Sequence, residues 1–89
     1  MPKALVVDDD RAVRDAVRVA LDGYEVTEAA TAGEAMRCAW GATFDVVVLD
    51  VVLPDVDTAV VLRRVLDAHG VPVLVISGRD RESIPIIAD

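Results

Sequence analysis

Lys3-Ala4-Leu5-Val6-Val7-Asp8-Asp9-Asp10 is the stretch that decides the fold. Residues 4–7 are apolar without a break, and three carboxylates then end the run. A strand that is apolar throughout, rather than alternating, is buried on both faces. From Arg11 the period changes. Val13, Ala16, Val17, Ala20 and Leu21 recur at i, i+3, i+4, i+7 and i+8, one face of an amphipathic helix. Asp10 is placed to cap that helix, and Gly23 to end it in the left-handed conformation.

The alternation continues along the chain. Residues 24–29 read as a second strand. Thr31-Ala32-Gly33-Glu34 has the form of a capping box opening a helix that runs to about Trp40, with Ala32, Ala35, Met36 and Ala39 facing inward. Residues 46–49 form a third strand, closed by Asp50. A loop with Pro54 follows, then a helix from about Asp57 to His69, stopped by Gly70 with Pro72 beyond. Residues 73–76 are a fourth strand, ended by Ser77-Gly78. The tail closes on Ile84-Pro85-Ile86-Ile87-Ala88, a pattern open to a first helical turn or an edge strand. Strands and helices in the order βαβαβαβ predict right-handed crossovers and a parallel sheet covered on both faces, a doubly wound α/β fold.

Composition narrows the function. At 89 residues the chain is one small domain, which excludes most enzymes. Hydrophobic residues make up 54%, so a packed core is within reach. The net charge of −7 argues against nucleic acid and anionic membranes as partners, because both attract basic surfaces. Aromatics at 3% offer little for stacking on bases or sugars. The single cysteine forms no internal disulfide and fits a cytoplasmic setting. No apolar run nears the ~20 residues of a membrane span, and Met1-Pro2-Lys3 leads into a strand without the apolar region of a signal peptide.

In a doubly wound sheet, ligands bind at the carboxyl ends of the strands. There the sequence places Asp8, Asp9 and Asp10 after the first strand, Asp50 after the third and Ser77 after the fourth. If strands one and three are neighbours, their carboxylates meet, and a cation among them relieves the repulsion. Oxygen-only ligands favour a hard ion, Mg²⁺ or Mn²⁺, and such sites serve phosphoryl chemistry. A carboxylate can itself be the nucleophile, forming an aspartyl phosphate. The Ser77 hydroxyl is placed to hydrogen-bond an anion at the centre.

At these residues the chain resembles the receiver domain of two-component response regulators, single-domain chemotaxis regulators included. The matching stretches are LVVDD at residues 5–9, EAATAGEA at 28–35, VVVLDVVLP at 46–54 and VLVISG at 73–78. The resemblance implies a flavodoxin-like sheet of strand order 2-1-3-4, with the fifth strand either missing or residual at residues 84–88 and the last helix missing or residual. It implies that Asp50 is the phospho-acceptor and that Asp8, Asp9, Asp50 and the backbone carbonyl of Val52 bind the metal. Ser77 corresponds to the switch hydroxyl. A sensor histidine kinase would supply the phosphoryl group, and modification would shift an inactive–active equilibrium to change contacts with a downstream protein. Turnover of a substrate is not implied. The family also carries a lysine at the end of a fifth strand, whereas Lys3 is this chain's one lysine. Thr58 stands where a glycine is usual.

Two rivals remain open. A receiver-like fold without productive phosphorylation would act as a binding module, as the missing lysine suggests. A haloacid-dehalogenase-type phosphatase would use Asp8-Asp9-Asp10 as its D-x-D, but Ala12 and the chain's length oppose it. Simpler roles suffice elsewhere: Asp10 as a cap, His69 as a partner for its helix's C-terminal dipole, Cys38 and Trp40 as packing, and Arg63-Arg64 as a solvated face. The chain reads as one receiver-like domain over residues 1–89, short at its C-terminal end. That shortness would leave the edge of strand 73–76 bare, so the chain is expected to form a homodimer through that edge and residues 84–88.

Overall fold

The computed structural model describes residues 1–50, 52–76 and the backbone of 86–88. Its elements are β1 (Lys3–Val7), α1 (Arg11–Ala20), β2 (Glu25–Ala29), α2 (Ala32–Gly41), β3 (Val46–Asp50), α3 (Val56–Ala68), β4 (Val73–Ile76) and β5 (Ile86–Ala88). One sheet holds all five strands in the order β2-β1-β3-β4-β5. The first four run parallel, in the expected order 2-1-3-4.

The central strands are dry on both faces, and β1 shows why its sequence has no polar alternation. Leu5 and Val7 belong to a cluster with Val47, Leu49, Leu62 and Leu66, on the side covered by α2 and α3. Ala4 and Val6 belong to another with Val13, Val17 and Val48, on the side of α1. Burying each such side chain contributes about 1.5–3 kcal/mol.

Local signals place the helix ends. Asp10 Oδ1 accepts the Ala12 N–H at 2.9 Å, and Thr31 Oγ1 accepts that of Glu34 at 3.1 Å. Glu34 reaches back to the N–H of Ala30 at 2.7 Å, one residue before the cap itself. α3 ends in a Schellman motif: the N–H of Val71 bonds the Leu66 carbonyl at 3.0 Å, and that of Gly70 the Asp67 carbonyl at 3.1 Å. Gly70 takes φ +70° there, where a β-carbon would be strained.

Three expectations need correction. Ala16 and Ala20 are exposed, and α1 buries only Val13 and Val17 with Leu21 beyond them. Among the described residues α1 is the only helix on its side of the sheet, so nothing closes over its flanks. Trp40 is 74% exposed, because burial in α2 is confined to Ala32 and Ala35 near its start. Finally, the edge of β4 is not bare. β5 pairs with it antiparallel, Ile76 opposite Ile86 and Leu74 opposite Ala88. Nine residues separate the two strands, fewer than the dozen or so that a parallel crossover needs. A homodimer seated on a free β4 edge therefore loses that edge.

Candidate functional site

β1 and β3 are neighbours with Val7 opposite Leu49, so the next residue of each strand, Asp8 and Asp50, faces the other. Both are buried, at 1% and 4% exposure, whereas Asp9 is exposed. Carboxylate oxygens of Asp8, Asp9 and Asp50 lie within 4.8 Å of one another. The sheet register brings Asp8 to Asp50, as the sequence led one to expect, and the turn after β1 adds Asp9.

The backbone positions these groups. The N–H of Asp8 continues the ladder to the Ala29 carbonyl at 3.1 Å. Asp8 Oδ1 accepts the Asp10 N–H at 2.8 Å, while its Oδ2 is buried with no hydrogen-bond partner. Asp50 Oδ1 accepts the Val52 N–H at 3.2 Å, which ties its carboxylate to the loop that follows. Val52 itself is 59% exposed on that loop. Ser77 lies outside the described residues, but Ile76 before it pairs with Asp50. Asp10 serves α1 as its cap. Lys3 begins β1 at the opposite end of the strand from the carboxylates, where its N–H bonds Asp45 Oδ2 at 2.7 Å.

Electrostatics marks Asp8. Burial pushes its carboxyl up to about 6, and the neighbouring Asp50, Asp9 and Asp10 add to the rise, while the Asp10 N–H opposes it. An anionic Asp8 beside Asp50 is thus costly until a positive charge joins them. The donor set is all oxygen, and one of its buried atoms, Asp8 Oδ2, lacks a hydrogen-bond partner. The residues fit a small hard cation.

Sequence reasoning passed over four side chains. Arg14 donates from NH1 to the Asp8 carbonyl at 2.7 Å and from Nε to Glu28 Oε1 at 2.9 Å. Arg18 holds Glu28 Oε2 from Nε at 2.8 Å. The Arg18 and Arg14 hydrogen bonds keep the Glu28 carboxyl below its usual range. Glu28 carried a signal, a carboxylate inside the strand run 24–29, and the fold sets it beside buried Val6, where it gains from a partner. Asp55 had none, since its partners are Ala32 and Gly33, 23 and 22 residues away.

A groove of about 580 Å³ lies at the opposite pole, lined by Trp40, Phe44, Asp45, His69 and Pro72 among others. There His69 Nδ1 sits 2.8 Å from the Val65 carbonyl, at the end of α3 as expected. No described helix is long and apolar enough to cross a membrane.

Comparison with known proteins agrees with this geometry. The response regulator receiver domain family matches residues 4–88. The chain is 38% identical over 90 residues to the KDP operon transcriptional regulatory protein KdpE of Escherichia coli, covering 99% of this chain and 40% of KdpE. A CheY-like receiver domain protein from Methanospirillum hungatei superposes with a TM-score of 0.76 at 31% identity, over 88% of this chain and 65% of that one. A structure of histidine kinase ThkA in complex with response regulator protein TrrA matches at TM-score 0.72 and 23% identity, over 88% of this chain and 70% of that one. The chain belongs to the response regulator receiver domain family of two-component systems. It spans well under two thirds of KdpE's length.

Proposed function

We propose that this domain works in the cytoplasm, takes a phosphoryl group onto Asp50 from a phosphohistidine of a sensor histidine kinase, and signals through altered contacts with a downstream protein. The observation that carries the reading is the buried pair Asp8–Asp50, with Asp9 beside it and Asp8 Oδ2 lacking a partner. A carboxylate oxygen of Asp50 attacks phosphorus, the P–N bond breaks, and its electron pair returns to the imidazole. Asp8, Asp9, Asp50 and the Val52 carbonyl would hold Mg²⁺ or Mn²⁺, which when bound neutralises charge on the phosphoryl oxygens. Asp8, fixed by the Asp10 N–H, keeps its other oxygen directed into the cluster. Ser77 would supply the switch hydroxyl. The ThkA–TrrA complex supports a kinase as partner.

Lys3, at the far end of β1, favours the second reading, a binding module that is not phosphorylated. Acetyl phosphate with Mg²⁺, followed by intact mass, decides between them. An adduct of one phosphoryl group, absent from Asp50→Asn, is expected. No adduct on the wild-type chain overturns the proposal in favour of the binding module. Rapid phosphate release abolished by Asp8→Asn would indicate a phosphatase.

A further inference from the structure

We infer that Arg14 is a positioning residue for the acidic cluster, fixing the turn that carries Asp8 and Asp9 by tying the Asp8 carbonyl to Glu28 on β2. The inference rests on the proposed metal site and concerns how that site keeps its shape.

The chain leaves β1 at Val7 and enters α1 at Arg11, so three residues must turn it and present two carboxylates. The ladder holds only the first of them, through the Asp8 N–H on the Ala29 carbonyl. Past that rung no strand N–H among the described residues bonds the Asp8 carbonyl, and Arg14, one turn into α1, supplies a donor at 2.7 Å. Its side chain is only 15% exposed, and its other bond, to Glu28, is an ion pair at 2.9 Å. Arg18 closes the clamp from outside, with NH2 at 2.7 Å from Glu28 Oε2. Bonds between ionised groups in a largely covered setting are the stronger and more directional kind. Asp8 is thereby held at its N–H, its carbonyl and Oδ1, which leaves Oδ2 for the cluster.

A guanidinium near three carboxylates could instead act as a counter-charge, and the two roles predict opposite signs. Removing a positive charge near a cation site tightens cation binding by simple Coulomb attraction. Removing a positioning group weakens it, typically by 10–100-fold for outer groups that orient ligands. The full chain is titrated with Mn²⁺ by calorimetry, as wild type, Arg14→Gln, Arg14→Lys and Arg18→Gln. Arg14→Gln is expected to bind Mn²⁺ roughly tenfold more weakly or worse. Arg14→Lys is expected to weaken binding too, since it keeps the charge but not the fork that reaches two acceptors. Arg18→Gln removes a like charge but leaves the bond to Asp8, and should bind as wild type or tighter. Unchanged or tighter binding by Arg14→Gln overturns the inference.

A second measurement needs no metal. In metal-free protein, amide hydrogen exchange at Asp10 and Ala12 should quicken in Arg14→Gln, while that at Val6 and Val48 stays as in wild type. Exchange that quickens everywhere, or nowhere, overturns the positioning role. If wild-type protein binds no Mn²⁺, the metal reading fails by itself, and the exchange result alone judges Arg14.

Discussion

Asp55 stands at the N-cap of α3 but closes α2: its two carboxylate oxygens accept the N–H groups of Ala32 at 3.0 Å and Gly33 at 2.9 Å. With Thr31 bonding Glu34, the donors of the first three residues of α2 are all satisfied. The loop that follows Asp50 is thereby tied to a neighbouring helix. Asp55→Ala should lower stability by about 1–2 kcal/mol, the usual effect of losing a cap, read as a shift in the urea midpoint. The Ala32 and Gly33 N–H groups hold the Asp55 carboxyl below its ordinary 3.8. Its stabilising contribution is therefore present above that pH and is lost as pH falls through the depressed value. Asp55→Asn should flatten the acid limb of a stability–pH curve below about pH 4.

Asp8 has the opposite sign. Its carboxyl titrates near 6 in the fold and at 3.8 when unfolded, so the folded state favours the proton. That stabilisation is complete below pH 3.8 and is lost as pH rises through about 6. The difference corresponds to about 3 kcal/mol. In EDTA, Asp8→Asn should be more stable than wild type at pH 7.5 and similar to it at pH 4. Adding Mg²⁺ at pH 7.5 should raise the melting temperature of the wild type and leave the variant nearly unmoved.

Leu62 is fully buried between α3 and the sheet, in one cluster with Leu5 and Val47. Leu62→Ala should cost about 2–5 kcal/mol, a large part of what a domain this size possesses. Val60, 49% exposed on the same helix, should tolerate Thr within about 0.5 kcal/mol. Chemical denaturation of the two variants checks the contrast.

Because β5 occupies the outer edge of β4, a chain shortened by residues 86–89 would present unpaired N–H and C=O groups along residues 73–76. Sedimentation should find that shortened chain self-associating at concentrations where the full chain does so less. Equal behaviour of the two would mean that β5 does not protect the edge.

The legible part of this molecule lay where neighbours in sequence are neighbours in space. Residues 4–7, 46–49 and 73–76 were visible as strands because burial on both faces leaves no polar alternation to misread. Thr31, Glu34 and Asp10 were visible as caps because their partners lie within four residues. The meeting of Asp8 with Asp50 followed from strand order alone. Contacts across long separations were not visible: Asp55 resembles a local cap in sequence, and only the fold brings it to α2. Arg14 looked like an ordinary residue beside the stripe of Val13 and Val17 until β2 brought Glu28 to it. The alanines of α1 misled for a related reason. Helical period marks which residues share a face, but not how wide a neighbour waits to cover it.

β5 also sets the direction in which the polypeptide travels. Ile86 lies level with Ile76, hence with Asp50, and Ala88 lies level with Leu74, hence with Val48. From Ile86 to Ala88 the chain runs away from the carboxylates, toward the pole of Trp40, His69 and Pro72. A fluorophore on Ala88 would sit nearer that pole than Ile86 does, so a probe meant to follow events at Asp50 belongs on the loop of Val52 instead.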